Sequence, residues 1–304
     1  MRLLACLAAV LKGFTYKTHE FRIRFLEEVC MLLGGSIVRK LVVALFIMLA
    51  LILGVKAQSP VIVRITDPRG DDRGGGALTY PNHQVYVPGL FDLQLFEVAT
   101  DDENITFDFQ FATLTNPFQA PEGYFHQRLE VYIRTGAQSG FGDIKIGAHQ
   151  LKTSPDGSWD VRLSVAPFGE SRLYVQGRVF TEEVSSLSLP ESQTIRVQVK
   201  KNILPNPSPA WGYYVLVGSF DGLAVDFWRD LGEGPWEIGG EGFPIFDLLA
   251  PRWGRRSQKN QLSKGVLYPI SGGQTRSIWW LVGVLALAVM VAGFYMWRWR
   301  RGRT

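Results

Sequence analysis

The chain has 304 residues, 46% hydrophobic and 20% charged, with a formal net charge of +4 that is unevenly placed. Residues 1–57 hold eight Lys/Arg against three acids and 298–303 hold four Arg, whereas 58–277 hold 20 Lys/Arg against 25 Asp/Glu. An acidic middle between basic ends excludes a nucleic-acid binder, whose basic surface sits on the folded domain. Both cysteines, Cys6 and Cys30, precede that middle, which therefore has neither a disulfide nor a thiolate metal site.

In chain order, the first strong signal is VRKLVVALFIMLALILGVKA. It has the basic start, the apolar run and the small-residue close of a secretory signal cleaved before Gln58. Residues 1–30 precede it and include the charged YKTHEFRIRFLEEV, more than a signal n-region holds, so Met31 is a second candidate start within the signal region 1–57. An uncleaved first membrane helix is the competing reading. Either one places 58–277 outside the cytoplasm.

A short apolar run, VIVRI, then leads into DPRGDDRGGGALTYP, Asp67 to Pro81. A phosphate-binding loop would end in Lys-Ser/Thr and open a helix, but ALTYP follows these glycines and Pro81 opposes a helix. Three readings stay open. The loop suits calcium, since Asp67, Asp71 and Asp72, joined by Asp92 from the next strand, supply the oxygen ligands that a hard cation takes. It equally suits a solvated turn whose Asp side chains bond their own backbone, or direct contact with a ligand.

Beyond the loop the chain reads as strands. NITFDFQFA alternates Ile105, Phe107, Phe109 and Phe111 with polar residues, the period of a strand with one face buried. RLEVYIR, WDVRLSV and TIRVQVK repeat the pattern, and DDEN, SPDGS and NPSPA between the runs are turn sequences. Many short strands without a helical period predict an all-β fold, an antiparallel β-sandwich, over 58–256. FDLLAP is expected to form a turn or short helix near its end, with 257–277 a stalk. Residues 278–297 are apolar for long enough to span a bilayer, with Trp279, Trp280, Trp297 and Trp299 as aromatic belts. Residues 298–304 form a basic tail on the cytoplasmic side.

The aromatic residues offer candidate sugar platforms, because pyranose rings present apolar C–H faces. Trp228 and Trp236, in the Gly-rich DFWRDLGEGPWEIGG, are the best placed, with Tyr124 and Trp211 as further candidates. The competing reading puts these rings in the core, where most large aromatics of a sandwich belong, and Trp159, at the head of an alternating strand, belongs there. No catalytic motif emerges. His83, His126 and His149 are scattered, there is no G-x-S-x-G elbow, and 25 acids single out no glycosidase pair.

Five ordered stretches, DPRGDDRGGGALTYP, PGLFDLQLFEV, TNPFQAPEGYFHQRLEVYI, WGYYVLVGSFDG and PWEIGGEGFPIFDLLAP, resemble the C-terminal domain of glucodextranases, a domain also found in amylopullulanases. The resemblance covers about 61–265 and implies a carbohydrate-binding β-sandwich, normally appended to a catalytic domain that this chain lacks. Phe118 stands where the family shows Trp. The expectation is a membrane-anchored, extracytoplasmic module without its own catalysis. It would bind an α-glucan or cell-envelope polysaccharide beside a glycoside hydrolase or transporter. The alternative is a structural, partner-docking envelope protein that binds no sugar. Haem binding, known in other sandwiches, lacks a Met/His pair here to carry it.

Overall fold

A computed structural model describes residues 60–137 and 140–272, all within the compact unit Ser59–Thr304. The expected signal region 1–57, the expected membrane segment 278–297 and the expected basic tail 298–304 lie outside the described residues. Among the described residues no helix is long and apolar enough to cross a membrane.

Two large sheets face each other. The first holds β1 (Val61–Thr66), β2 (Leu93–Thr100), β3 (Asn104–Phe111), β10 (Val184–Leu189) and β11 (Thr194–Lys200), in the order β1-β2-β3-β11-β10. The second holds β4 (Gln127–Arg134), β7 (Val161–Val165), β8 (Arg172–Val175), β9 (Arg178–Phe180), β12 (Gly212–Ser219) and β13 (Asp247–Leu248). Its order is β13-β12-β4-β7-β8-β9, with β15 (Ile270–Ser271) paired to the start of β12. Every pairing in both sheets is antiparallel. The predicted alternation of β3 holds, with Ile105, Phe107, Phe109 and Phe111 buried against Leu129, Val131 and Val215 of the second sheet. This is the interior of the expected sandwich.

One expectation is corrected by a third layer. Strand β4 was expected to bury one face, yet almost every residue of it, and every residue of β12, is buried. The outer face of the second sheet is covered by a small sheet of β5 (Asp143–Ile146), β6 (His149–Thr153) and β14 (Val266–Leu267), and by the helix α1 (Gln258–Lys264). A second core of Tyr132, Ile144, Leu151, Tyr214, Leu216, Trp228 and Leu267 fills the gap. Residues 257–272 are therefore part of the domain rather than a stalk: Gln258 and Gln261 are buried, and β14 pairs in parallel with β6. FDLLAP is likewise not a helix, because Asp247 and Leu248 pair with Val217 and Leu216 of β12.

Polar residues on the covered face are paired with each other. Glu130, fully buried, accepts hydrogen bonds from Arg128 Nη2 (2.5 Å), Ser164 Oγ (3.0 Å) and both Nε (2.8 Å) and Nη2 (2.7 Å) of Arg162. Arg128 Nε also donates to the carbonyl of Asp226 (2.9 Å), and Arg162 Nη2 reaches the Asp226 carboxylate (3.2 Å). Trp228 lies beneath Arg128 and flat on β12 at Gly218, where a Cβ would stand 2.2 Å from the indole Cζ2. Only glycine admits the ring there. The two ends of the domain meet: Gly272, just past β15, packs so closely on Val63 that a Cβ would lie 2.8 Å from its Cγ1.

Removal of one partner from the buried ion cluster leaves charge without compensation. Glu130→Ala is expected to cost about 3–5 kcal/mol of unfolding free energy, and Trp228→Ala a similar ~3–5 kcal/mol through the cavity it opens. Denaturant unfolding of the two variants checks both. A loss under ~1 kcal/mol at either site would contradict the packing described.

Candidate functional site

Loops from both sheets converge where β3 and β12 end and β4 begins, and they carry a continuous run of aromatic rings. His83 stacks on Trp236 with centroids 3.9 Å apart and planes at 24°. Phe118 lies 6.2 Å from Trp236 and 4.4 Å from Phe125. Phe125 in turn meets Phe168 (6.0 Å) and Phe220 (5.6 Å). Most aromatic clusters are interior, but this one opens to solvent. Phe118 and Phe168 are 46% and 45% exposed, and Trp236 is partly exposed.

The loops beneath these rings are braced. Asn116 receives the Ala120 amide on Oδ1 and donates from Nδ2 to the Ala120 carbonyl, both at 2.8 Å, which closes the turn bearing Phe118. Glu122 accepts the amides of Phe168 (2.9 Å) and Gly169 (2.7 Å). Arg229, buried, donates to the carbonyls of Trp236 (2.8 Å) and Phe220 (3.0 Å) and pairs with Asp221 (3.1 Å). Among the described residues, four of the six non-glycine residues with positive φ sit here: Gln119 (56°), Phe168 (61°), Asp226 (52°) and Phe227 (57°). Each such residue costs about 1–3 kcal/mol and concentrates where the surroundings hold it for a purpose. Rigid, partly exposed rings offer stacking area with little entropy left to lose on binding.

The four predicted platform residues separate. Trp236 stands in the aromatic face. Trp228 is 2% exposed, with its indole Nε1 donating to the Pro244 carbonyl at 2.9 Å, and belongs to the second core. Trp211 and Tyr124 are buried in the first core, Tyr124 with its hydroxyl on Ser186 Oγ (3.1 Å) and its pKa raised by that burial. None of these three presents a ring to solvent, because the Gly-rich loop folds inward at Trp228 and the other two lie on inward-facing positions. Sequence reasoning assigned no binding role to Phe168 or His83, and marked Phe118 only as the position where the resembled family shows Trp. A signal was available: Pro117-Phe118, Pro167-Phe168 and Pro235-Trp236 each set an aromatic after a proline in a turn, where the chain has no inward face to offer.

The four predicted metal ligands separate too. Asp67, at the end of β1, and Asp71 approach Asp247 of β13, with one carboxylate oxygen from each of the three within 4.8 Å of the others. Asp247 is the member that sequence reasoning missed, because it sits far along the chain in a stretch that reads as apolar. Asp72 and Asp92 are drawn elsewhere. Asp72 accepts the Tyr80 hydroxyl, and Asp92 accepts the Gly70 amide (2.8 Å) and the Gln94 side chain (3.4 Å). Burial, then repulsion between the carboxylates, holds Asp67 and Asp247 well above the usual carboxylate range, and burial raises Asp71 to about 6.

Behind the aromatic face His126 is fully buried between Tyr86 and Phe125, with no partner for either ring nitrogen. Burial, helped by the Arg229 guanidinium, pushes its imidazole down to about 4. A depressed histidine is neutral in the fold and charges on unfolding, so its contribution to stability is present above about pH 6.5 and is lost as pH falls toward 4. His126→Phe is expected to flatten the stability profile over that interval, by up to about 1.4 kcal/mol per pH unit. Parallel profiles for wild type and variant would refute a buried neutral imidazole.

No curated protein matches the chain significantly. The family model for the C-terminal binding module of glucodextranase, described as SLH-like, matches residues 62–275, which takes in both sheets, the third layer and all of the aromatic loops. The chain belongs to this family of glucodextranase C-terminal binding modules.

Proposed function

We propose that this protein is an extracytoplasmic carbohydrate-binding module, tethered by the apolar segment 278–297, that holds an α-glucan or cell-envelope polysaccharide on its aromatic face and performs no catalysis itself. The observation that carries the reading is the exposure of Trp236, Phe118 and Phe168 on braced, strained loops. Pyranose C–H faces stack on such rings, while nearby polar groups orient the hydroxyls. Membership of a binding-module family supports the sugar as ligand. A glycoside hydrolase or transporter at the same membrane would use the polysaccharide so gathered.

The loop between Asp221 and Trp228 favours a second reading. Leu223 is wholly exposed and Val225 is 64% exposed, and aliphatic side chains suit a protein partner better than a sugar.

A glycan array probed with the full-length chain in detergent discriminates the two. A module of this type is expected to bind in the micromolar to millimolar range, about −8 to −4 kcal/mol. Trp236→Ala should weaken binding at least about tenfold, or ~1.4 kcal/mol, with the melting temperature little changed. Leu223→Asp should leave sugar binding as it is. Undiminished binding by Trp236→Ala together with Phe168→Ala, or no glycan bound at all, would remove the sugar reading.

A further inference from the structure

We propose that Asp67, Asp71 and Asp247 hold a calcium ion that fastens the loop after β1 to β13, and so joins the edges of the two large sheets. The inference does not rest on sugar binding, although the three carboxylates lie at the same end of the sheets as the aromatic loops. Three carboxylates offer oxygens within 4.8 Å of one another. Among the described residues no Lys, Arg or His forms an ion pair with any of them. Ordinary surface acids escape such crowding by turning outward, but these are pinned. Asp67 Oδ1 takes the Ala250 amide (2.9 Å), and the Asp247 oxygens take the amides of Leu93 and Leu248, both at 2.8 Å.

The remaining oxygens point to a ligand. Asp67 is 7% exposed, yet its Oδ2 is buried and meets no donor, and Asp71 Oδ1 is in the same position. The groups clustered with Asp67, the Asp71 and Asp247 carboxylates, bring further acceptors and no N–H donor to it. A buried acceptor left in this way costs the full desolvation of the group. The loop is also held in place from outside the cluster. Gln258 of α1 donates to the carbonyls of Asp71 (2.5 Å) and Gly74 (3.1 Å) and accepts the Leu248 amide (2.5 Å), so Asp71 and the Asp247–Leu248 strand are fixed by one side chain.

The donor set selects the ion. With oxygen ligands only and no imidazole or thiolate, the site suits a hard cation. An irregular cage of carboxylates completed by loop carbonyls and water accommodates calcium, whereas magnesium demands near-ideal octahedral geometry and keeps most of its water.

Full-length protein dialysed against a chelator and then titrated with calcium chloride tests the site. The melting temperature is expected to climb with the logarithm of calcium concentration, equilibrium dialysis should find one ion bound per chain, and magnesium should give a smaller shift at equal concentration. Asp71→Asn, in the least constrained of the three positions, should melt higher than wild type without metal, because repulsion is relieved, and should lose the calcium response. Trp236→Ala should respond to calcium as wild type does. The alternative is a proton shared between Asp67 and Asp247. An unchanged melting temperature in wild type, or an equal calcium response in wild type and Asp71→Asn, would establish that alternative and overturn the proposal.

Discussion

Glu130 sits where no water reaches it, and its charge is answered by two guanidinium groups that also hold the loop outside. Arg128 donates to the Asp226 carbonyl and Arg162 to its carboxylate, so the strained pair Asp226–Phe227 is anchored in the same cluster that neutralises the strand beneath. The Arg128 ring contact then fixes Trp228, and Trp228 covers Gly218 of the central strand β12. Pairwise energies in such a network are not separable. The cluster positions one edge of the aromatic face through covalent continuity, from Trp228 to Arg229 and on to Trp236.

The second sheet needs such a cluster because it is a middle layer. In a two-layer sandwich the outer residues of β4 would face solvent, and Arg128 and Glu130 would be ordinary surface charges. Here the third layer brings them inside, and burial turns a weak surface pair into a structural commitment. With no cysteine in the domain, the chain relies on this extra layer for area to bury rather than on cross-links.

Much of the first core was legible in the sequence. Strict alternation in NITFDFQFA and TIRVQVK gave both the strands and the facing they adopt, because one face meets the core and the other meets water. The third layer was not legible. RLEVYIR alternates in polarity just as a half-exposed strand does, and only the paired Arg162 and Ser164 on β7 reveal that its polar positions are satisfied internally. The three clustered carboxylates were half legible: Asp67 and Asp71 announce themselves in an acid-dense loop, while Asp247 is separated from them by most of the domain and is hidden between Phe246 and Leu248. Among the aromatics, composition alone could not tell Trp228 from Trp236. Their difference comes from Gly218 near the end of β12, the strand that leads into their loop, where the missing side chain leaves room for the Trp228 ring inside.

The meeting of Gly272 with Val63 has a consequence for how the domain can be wired into a larger protein. Val61 pairs with Ala99 and Ser271 with Gly212, so the chain enters and leaves at the end of the sheets remote from the aromatic loops. Domains whose two ends lie side by side can be spliced into a host chain, or hung from either terminus, with little distortion of host or guest. In this fold every such graft would present the aromatic loops at the far pole, away from whatever carries the module.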